Sequence, residues 1–294
     1  MQITVHHYDA FSTTPGQGNP AGIVFAAEQF SAGQMKQIAA AVGFNETTFV
    51  LPPENGAVRL RYFTPGHEMD LCGHATIATF TALAEREELS PGTYQLDVKA
   101  GLLPIFVSQN EANETAVTMQ QNPAQFIPFN GDQTAVAQAI GLENEDLDPD
   151  LPILYGSTGI WTLIVPVRGL AAMQRMQPQN ADFPSVLTQN DHASIHPICL
   201  ETFDAAADYH GRHFSSPFSG TVEDPVTGTA SGVMGAYYAR FIQPGQQQYS
   251  LTVEQGQEAG YNGRLQVYVQ VVGGEYQVSI TGTAVFVRTF TVEI

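Results

Sequence analysis

The sequence predicts a mixed α/β protein built from two diverged copies of one module. Strand-like and helical segments alternate along the chain of 294 residues. Apolar residues make up 43% and aromatics 10%, enough to bury a core and to exclude global disorder. Landmarks of the first half return in the second, in the same order and at one spacing. Two such modules pack most simply about a pseudo-two-fold axis, so any active site is expected where the copies meet.

The elements follow from local pattern. Residues 2–9 (QITVHHYD) and 22–27 (GIVFAA) read as strands around the turn-rich TTPGQGNPA. Residues 31–42 open on a Ser suited to cap a helix, and apolar Met35, Ile38, Ala39 and Val42 keep helical spacing. NETTFVLPP and VRLRYFTP are rich in β-branched and aromatic residues and read as strands. Residues 73–87 form the first strong helix candidate, and QLDVKAGLLPIFV and TAVTMQQ return to strand character. Residues 143–150 (ENEDLDPD) read as a solvated loop, and 229–242 (TASGVMGAYYARFI) as the second strong helix.

The repeat has an offset of 155 (228 − 73). It sets Cys72-Gly73-His74-Ala75-Thr76 on Thr227-Gly228-Thr229-Ala230-Ser231, at the start of each strong helix. It also sets Glu68 on Glu223, Glu46 on Glu201 and Gly101 on Gly256. At a nearby offset, RYFTP resembles RHFSSP. Amides at the two helix N-termini carry partial positive charge and would offer a local anion site.

That local site matters because the chain is strongly acidic, with 29 acidic and 11 basic residues and a net charge of −18. Such a surface repels phosphate backbones, which argues against nucleic acid, and offers little to an anionic membrane. No apolar run approaches the ~18 residues of a membrane span. The N-terminal MQITVHHYDAF lacks the pattern of a secretory signal, and two cysteines, Cys72 and Cys199, make no disulfide framework. A reducing cytoplasmic setting is expected.

GNPAG at 18–22, GFNETTFV at 43–50, RYFTPGHEMDLCGHATIAT at 61–79, GRHFSSP at 211–217 and VEDPVTGTASG at 222–232 together resemble the PhzF-like phenazine-biosynthesis isomerase family. The resemblance implies an α+β fold of the diaminopimelate epimerase type. Two pseudo-symmetric lobes would each wrap a curved, mostly antiparallel sheet around a central helix. The expected lobes are 1–120, completed by a C-terminal strand at 282–294, and 121–281. The resemblance assigns catalysis to Glu46, His74 and Asp224, with Glu46 as the proton-moving base, and substrate binding to Asn19, Gly73, Gly228 and Thr229. Tyr261 in GYNGR stands where the family pattern has an Arg.

Glu46 lies in an apolar segment between Phe44 and Phe49, where burial would raise a carboxyl toward neutrality and suit a group that takes and returns a proton. Cys72 matches the position of a catalytic thiol in diaminopimelate epimerase. Its repeat mate is Thr227, whose hydroxyl is far too weak an acid for a two-thiol racemase. Cys72 therefore reads as a small buried residue.

The leading expectation is an isomerase or epimerase that needs no cofactor and no metal and acts on a small carboxylate-bearing molecule. A ligand-binding protein that lost catalysis is the alternative. A metal-dependent hydrolase using His192 and His196, or His210 and His213, is a third, weakened by the absence of an HExxH glutamate. GQGNPAG mimics a dinucleotide fingerprint but leads into a strand, so a turn fits better. A homodimer is expected from the general prevalence of that state.

Overall fold

The computed structural model describes residues 1–294, and two units divide them: Met1–Gln120 with Thr281–Ile294, and Gln121–Ile280. In chain order the first unit holds β1 (Gln2–Ala10), β2 (Asn19–Val24), α1 (Ala32–Val42), β3 (Glu46–Glu54), β4 (Ala57–Phe63) and β5 (Glu68–Met69). It continues with α2 (Gly73–Glu85), β6 (Gly92–Val98), β7 (Gly101–Gln109) and β8 (Thr115–Gln120). The second unit opens with β9 (Gln125–Pro128), α3 (Gln133–Ala139), β10 (Leu154–Ser157), β11 (Trp161–Pro166), α4 (Leu170–Arg175) and α5 (Phe183–Val186). Then come β12 (Ser194–Cys199), β13 (Tyr209–Gly211), α6 (Gly228–Tyr237), β14 (Gln248–Gln255), β15 (Gly263–Val272) and β16 (Glu275–Gly282). The last strand, β17 (Ala284–Glu293), belongs to the first unit.

In the first unit α2 is the core helix. Ten of its thirteen residues are buried, and it packs on β1, β2, β3, β8 and β17. A helix buried on nearly every side has little solvent face to spare, so its polar side chains look for partners within the fold. Thr76 and Thr79 do this by donating to the carbonyls of Cys72 and Ala75, each at 2.7 Å. The surrounding strands pair mostly antiparallel, β1 with β17 and β2, β3 with β4, and β7 with β6 and β8. Parallel pairs join β2 to β3 and β4 to β6. Outside them α1 begins at Ser31, whose hydroxyl accepts the Gln34 N–H while the Gln34 side chain accepts the Ser31 N–H, a reciprocal cap. It buries Met35, Ile38 and Ala39 with Phe49 and Phe63.

The second unit repeats the plan. Nine of the ten residues of α6 are buried, against β10, β14 and β15. Antiparallel pairs β9–β10, β10–β11, β12–β13 and β14–β15 alternate with parallel β11–β12 and β13–β14. The repeat is legible in backbone angles as well. Gly101 (φ 114°) and Gly256 (φ 103°) both occupy the left-handed region at the same place in the module, where a side chain would be strained.

Three details differ from the sequence reading. The strand expected at 22–27 runs from Asn19 to Val24, because Asn19 and Pro20 pair with Ala10 and Asp9 across β1, and Ala27–Gln29 form a short 3-10 turn. The helix expected over 229–242 is α-helical only to Tyr237. From Tyr238 it widens to a π turn, closed by the Gln243 N–H on the Tyr238 carbonyl at 2.9 Å. Residues 143–150 are not wholly solvated, since Leu147 is buried and bridges Val167. No helix is long and apolar enough to cross a membrane.

Candidate active site

Glu46 is the first residue of β3, in register with Ala21 of the parallel neighbour β2. His74 is the second residue of α2, and Cys72 is the residue before that helix. Strand pairing and helix start thus deliver three reactive side chains to one place, their ligating atoms all within 4.8 Å of one another. His74 Nε2 lies 3.3 Å from Glu46 Oε2, and Nδ1 lies 3.5 Å from Cys72 Sγ. Glu46 Oε2 is buried, within ion-pair reach of the ring but off the angle of a formed hydrogen bond.

Burial opposes charge on the His74 ring, but the Cys72 sulfur and the Glu46 carboxylate more than offset it and hold the ring well above its ordinary value. Burial pushes the Cys72 thiol up, against the opposing pull of the neighbouring His74. The Glu46–His74 pair can hold one proton and release it on demand. Asn19, at the start of β2, is fully buried.

In the second unit the turn before α6 holds the other predicted residues. Thr227 donates its hydroxyl to Asp224 Oδ2 at 2.6 Å, and the Asp224 N–H reaches the His213 carbonyl at 3.0 Å. Gly228 opens the helix, and Thr229 follows with its carbonyl held by the Thr158 hydroxyl at 3.1 Å. Glu201, the repeat mate of Glu46, does unrelated work, accepting the Leu170 N–H at the start of α4 at 2.9 Å. The scaffold is duplicated and the Glu46–His74 pair is not.

Two features escaped the sequence reading. Gln255 is fully buried and clamps the turn: its amide oxygen accepts the Thr227 N–H at 3.2 Å while its nitrogen donates to the Asp224 carbonyl at 2.8 Å. Its repeat position is Ala100, so no sequence signal marked it. The second feature is a pair of matched brackets. Arg61 grips Glu68 through two hydrogen bonds at 2.6 and 2.9 Å, and Arg212 grips Glu223 at 2.8 and 2.7 Å. Each guanidinium also lies over the Phe two residues on, Phe63 at 5.1 Å and Phe214 at 4.8 Å. The alignment of Glu68 with Glu223, and of RYFTP with RHFSSP, was the signal available for these.

Two of the four histidines weighed for a metal are otherwise engaged. His192 stacks on Phe218 at 4.1 Å, and His210 sits between Glu254 and Glu258, 3.1 Å from each. His196 and His213 lie with ring centroids 5.5 Å apart. Tyr261 closes a turn, its N–H on the Gly256 carbonyl at 2.9 Å.

Residues 8–289 match the PhzC-PhzF family, described as phenazine biosynthesis-like protein. The chain is 47% identical over 294 residues to a Bacillus subtilis protein named Uncharacterized isomerase YfhB, covering 100% of the chain and 99% of that relative. It is 30% identical over 262 residues to trans-2,3-dihydro-3-hydroxyanthranilate isomerase of Pseudomonas chlororaphis, covering 87% of each. A crystal structure of the Bacillus anthracis phenazine biosynthesis protein of the PhzF family superposes with a TM-score of 0.97 at 53% identity, each chain covered in full. A hydroxyproline epimerase from Agrobacterium vitis shares the fold at a TM-score of 0.60 and 12% identity, covering 99% of this chain and 92% of that one.

The fold and site define a diaminopimelate epimerase-like α+β protein with a carboxylate–imidazole pair at the start of a core helix. The chain belongs to the PhzC-PhzF family and is an isomerase of the PhzF type.

Proposed function

We propose that the chain moves a proton between two carbons of a small, unsaturated, carboxylate-bearing substrate, with Glu46 as the group that carries it. The observation behind this reading is the Glu46–His74 contact of 3.3 Å at a buried helix start. In the proposed step a C–H bond breaks and its proton passes to the Glu46 carboxylate. The electron pair left on carbon shifts into the adjacent unsaturation, and Glu46 returns the proton to the far carbon. The reaction is balanced without a redox partner or a cofactor. His74, whose ring is held well above its ordinary value, lies beside Glu46, and the neutral Glu46 formed in the step passes its proton on.

Asp224 and Thr229 are proposed to fix substrate polar groups, and the Asn19, Gly73 and Gly228 positions to complete binding. The substrate class is supported by the dihydrohydroxyanthranilate in the name of the Pseudomonas relative. A cytoplasmic setting is proposed on the two free thiols, Cys72 and Cys199.

Incubation with cyclic unsaturated carboxylates in D₂O, followed by NMR, tests the reading. Double-bond migration with deuterium entry is expected in the native chain. Glu46→Gln is expected to bind the same ligand with the rate lowered at least ~10²–10⁴-fold. Full exchange in Glu46→Gln removes Glu46 from this role, and binding without turnover in the native chain favours a binding protein.

A further inference from the structure

We propose that Glu46, Cys72 and His74 form a site for one thiophilic divalent metal ion of the Zn²⁺ class, and that its occupation switches proton transfer off. The site rests on geometry alone. The switch rests on the acid/base reading of Glu46.

The residues are a sulfur, a nitrogen and an oxygen ligand whose donor atoms lie within 4.8 Å of one another. A tetrahedral zinc with bonds of about 2.3 Å to sulfur and about 2.0–2.2 Å to nitrogen and oxygen separates its ligands by roughly 3.3–3.6 Å. His74 Nε2 stands 3.3 Å from Glu46 Oε2 and 3.9 Å from Cys72 Sγ, and the Cys72 and Glu46 donor atoms lie within 4.8 Å of each other, so side-chain shifts of about an ångström close the set. Glu46 Oε2 is buried with no formed hydrogen bond, leaving a lone pair for an ion to take. Sulfur and imidazole ligands select Zn²⁺ or Co²⁺ over Mg²⁺ or Ca²⁺, which require oxygen.

Charge favours the site. On binding, the Cys72 S–H gives its proton to solvent, His74 ligates as neutral imidazole and Glu46 as carboxylate, so two negative charges meet a dication. The N-terminus of α2 opposes this with only about half a unit of positive charge. Three protein ligands leave a fourth position open to water. Ligation draws charge out of the Glu46 carboxylate and fixes it on the ion, which weakens it as a base toward carbon.

Titration of the purified full chain with Co²⁺ tests the site. One equivalent is expected to bind, with the near-ultraviolet thiolate-to-cobalt charge-transfer band and release of about two protons, one each from Cys72 and His74. Zn²⁺ is expected to bleach the band, Cys199→Ser to keep it and Cys72→Ser to lose it. Glu46→Gln, at the more open edge of the cluster, is expected to keep the band with affinity lower by on the order of tenfold. A chain that shows no band, or a band that survives Cys72→Ser or is unaltered in affinity by Glu46→Gln, overturns the site. The two readings fail separately. Cobalt uptake by a chain without isomerase activity leaves the metal site standing, and activity insensitive to bound Zn²⁺ removes the switch.

Discussion

The imidazole of His74 and the carboxylate of Glu46 meet at 3.3 Å because a helix start and a strand start are brought together by the pairing of β2 with β3. Burial works against a charge on this ring, while the Cys72 sulfur and the Glu46 carboxylate raise its proton affinity well above the ordinary value. A raised histidine value is stabilising below about 6.5, the unfolded value, and that contribution is lost as pH rises through the folded value. Activity is accordingly expected to persist above pH ~6.5 and to fall on the alkaline side as His74 loses its proton. His74→Asn is expected to lower kcat by ~10²-fold or more and to remove that alkaline limb. A pH–rate profile of the variant that keeps the native alkaline limb would assign the limb to another group.

Gln255 holds the backbone on which Asp224 and Thr227 sit and donates to the Thr227 hydroxyl at 3.2 Å. Gln255→Ala leaves a part-buried Thr227 N–H and Asp224 carbonyl without this partner, at a cost of about 1–3 kcal/mol. Gln255→Glu sets a buried carboxylate oxygen against the Asp224 carbonyl in place of a donor, so its loss is expected to be larger. A turn that drifts is expected to raise KM more than it lowers kcat. Thermal melts beside steady-state kinetics check this, and equal effects of both variants on both parameters would count against a positioning role.

The two arginine brackets differ in burial, and the difference sets their worth. Arg212 and Glu223 side chains are 7% and 17% exposed, against 30% and 24% for Arg61 and Glu68. Removing Arg212 strands a mostly desolvated carboxylate, and Arg212→Ala is expected to cost about 3 kcal/mol. The more open first bracket is screened by water, so Arg61→Ala is expected to cost ~1 kcal/mol. Denaturant unfolding of both variants measures the gap, which should shrink little in high salt for Arg212 and clearly for Arg61.

His196 is fully buried, and burial holds its ring well below the ordinary value, aided by neighbouring His213, itself depressed to about 4 by burial. A depressed histidine contributes stability that is complete above the unfolded value of about 6.5 and is lost as pH falls toward the folded value. The melting temperature is therefore expected to drop between pH ~6.5 and ~4, and His196→Asn to flatten that drop. A native acid limb unchanged in the variant would place the loss on carboxylates elsewhere.

The sequence was most informative where structure is local. Ser31 and Gln34 announce the start of α1 because a reciprocal cap needs only neighbours. The 155-residue offset was legible because each copy kept its own turn glycine, helix start and bracket glutamate. Where the sequence was silent, the determinant is strand pairing or packing that local pattern does not carry. Asn19 joins β2 only because Ala10 is across from it, and the π turn at Tyr238 depends on what packs around the end of α6. Gln255 looks like an ordinary strand residue until the Asp224 turn folds against it. The family resemblance supplied what spacing could not, namely the roles of Glu46, His74 and Asp224.

The pairing of β1 with β17 sets Gln2 opposite Glu293 and Ile3 opposite Val292. A ribosome delivers the second unit as one uninterrupted segment, but it must finish nearly the whole chain before β1 can find this neighbour. Contacts 291 residues apart in sequence close a very long loop and are entropically slow to form. During synthesis β1 therefore has an unpaired edge along the side that β17 will occupy, a surface prone to wrong partners until the final strand arrives. Joining the ends by a short linker and opening the chain elsewhere would give β1 that neighbour early, making the order of synthesis itself a variable in how much native protein is recovered.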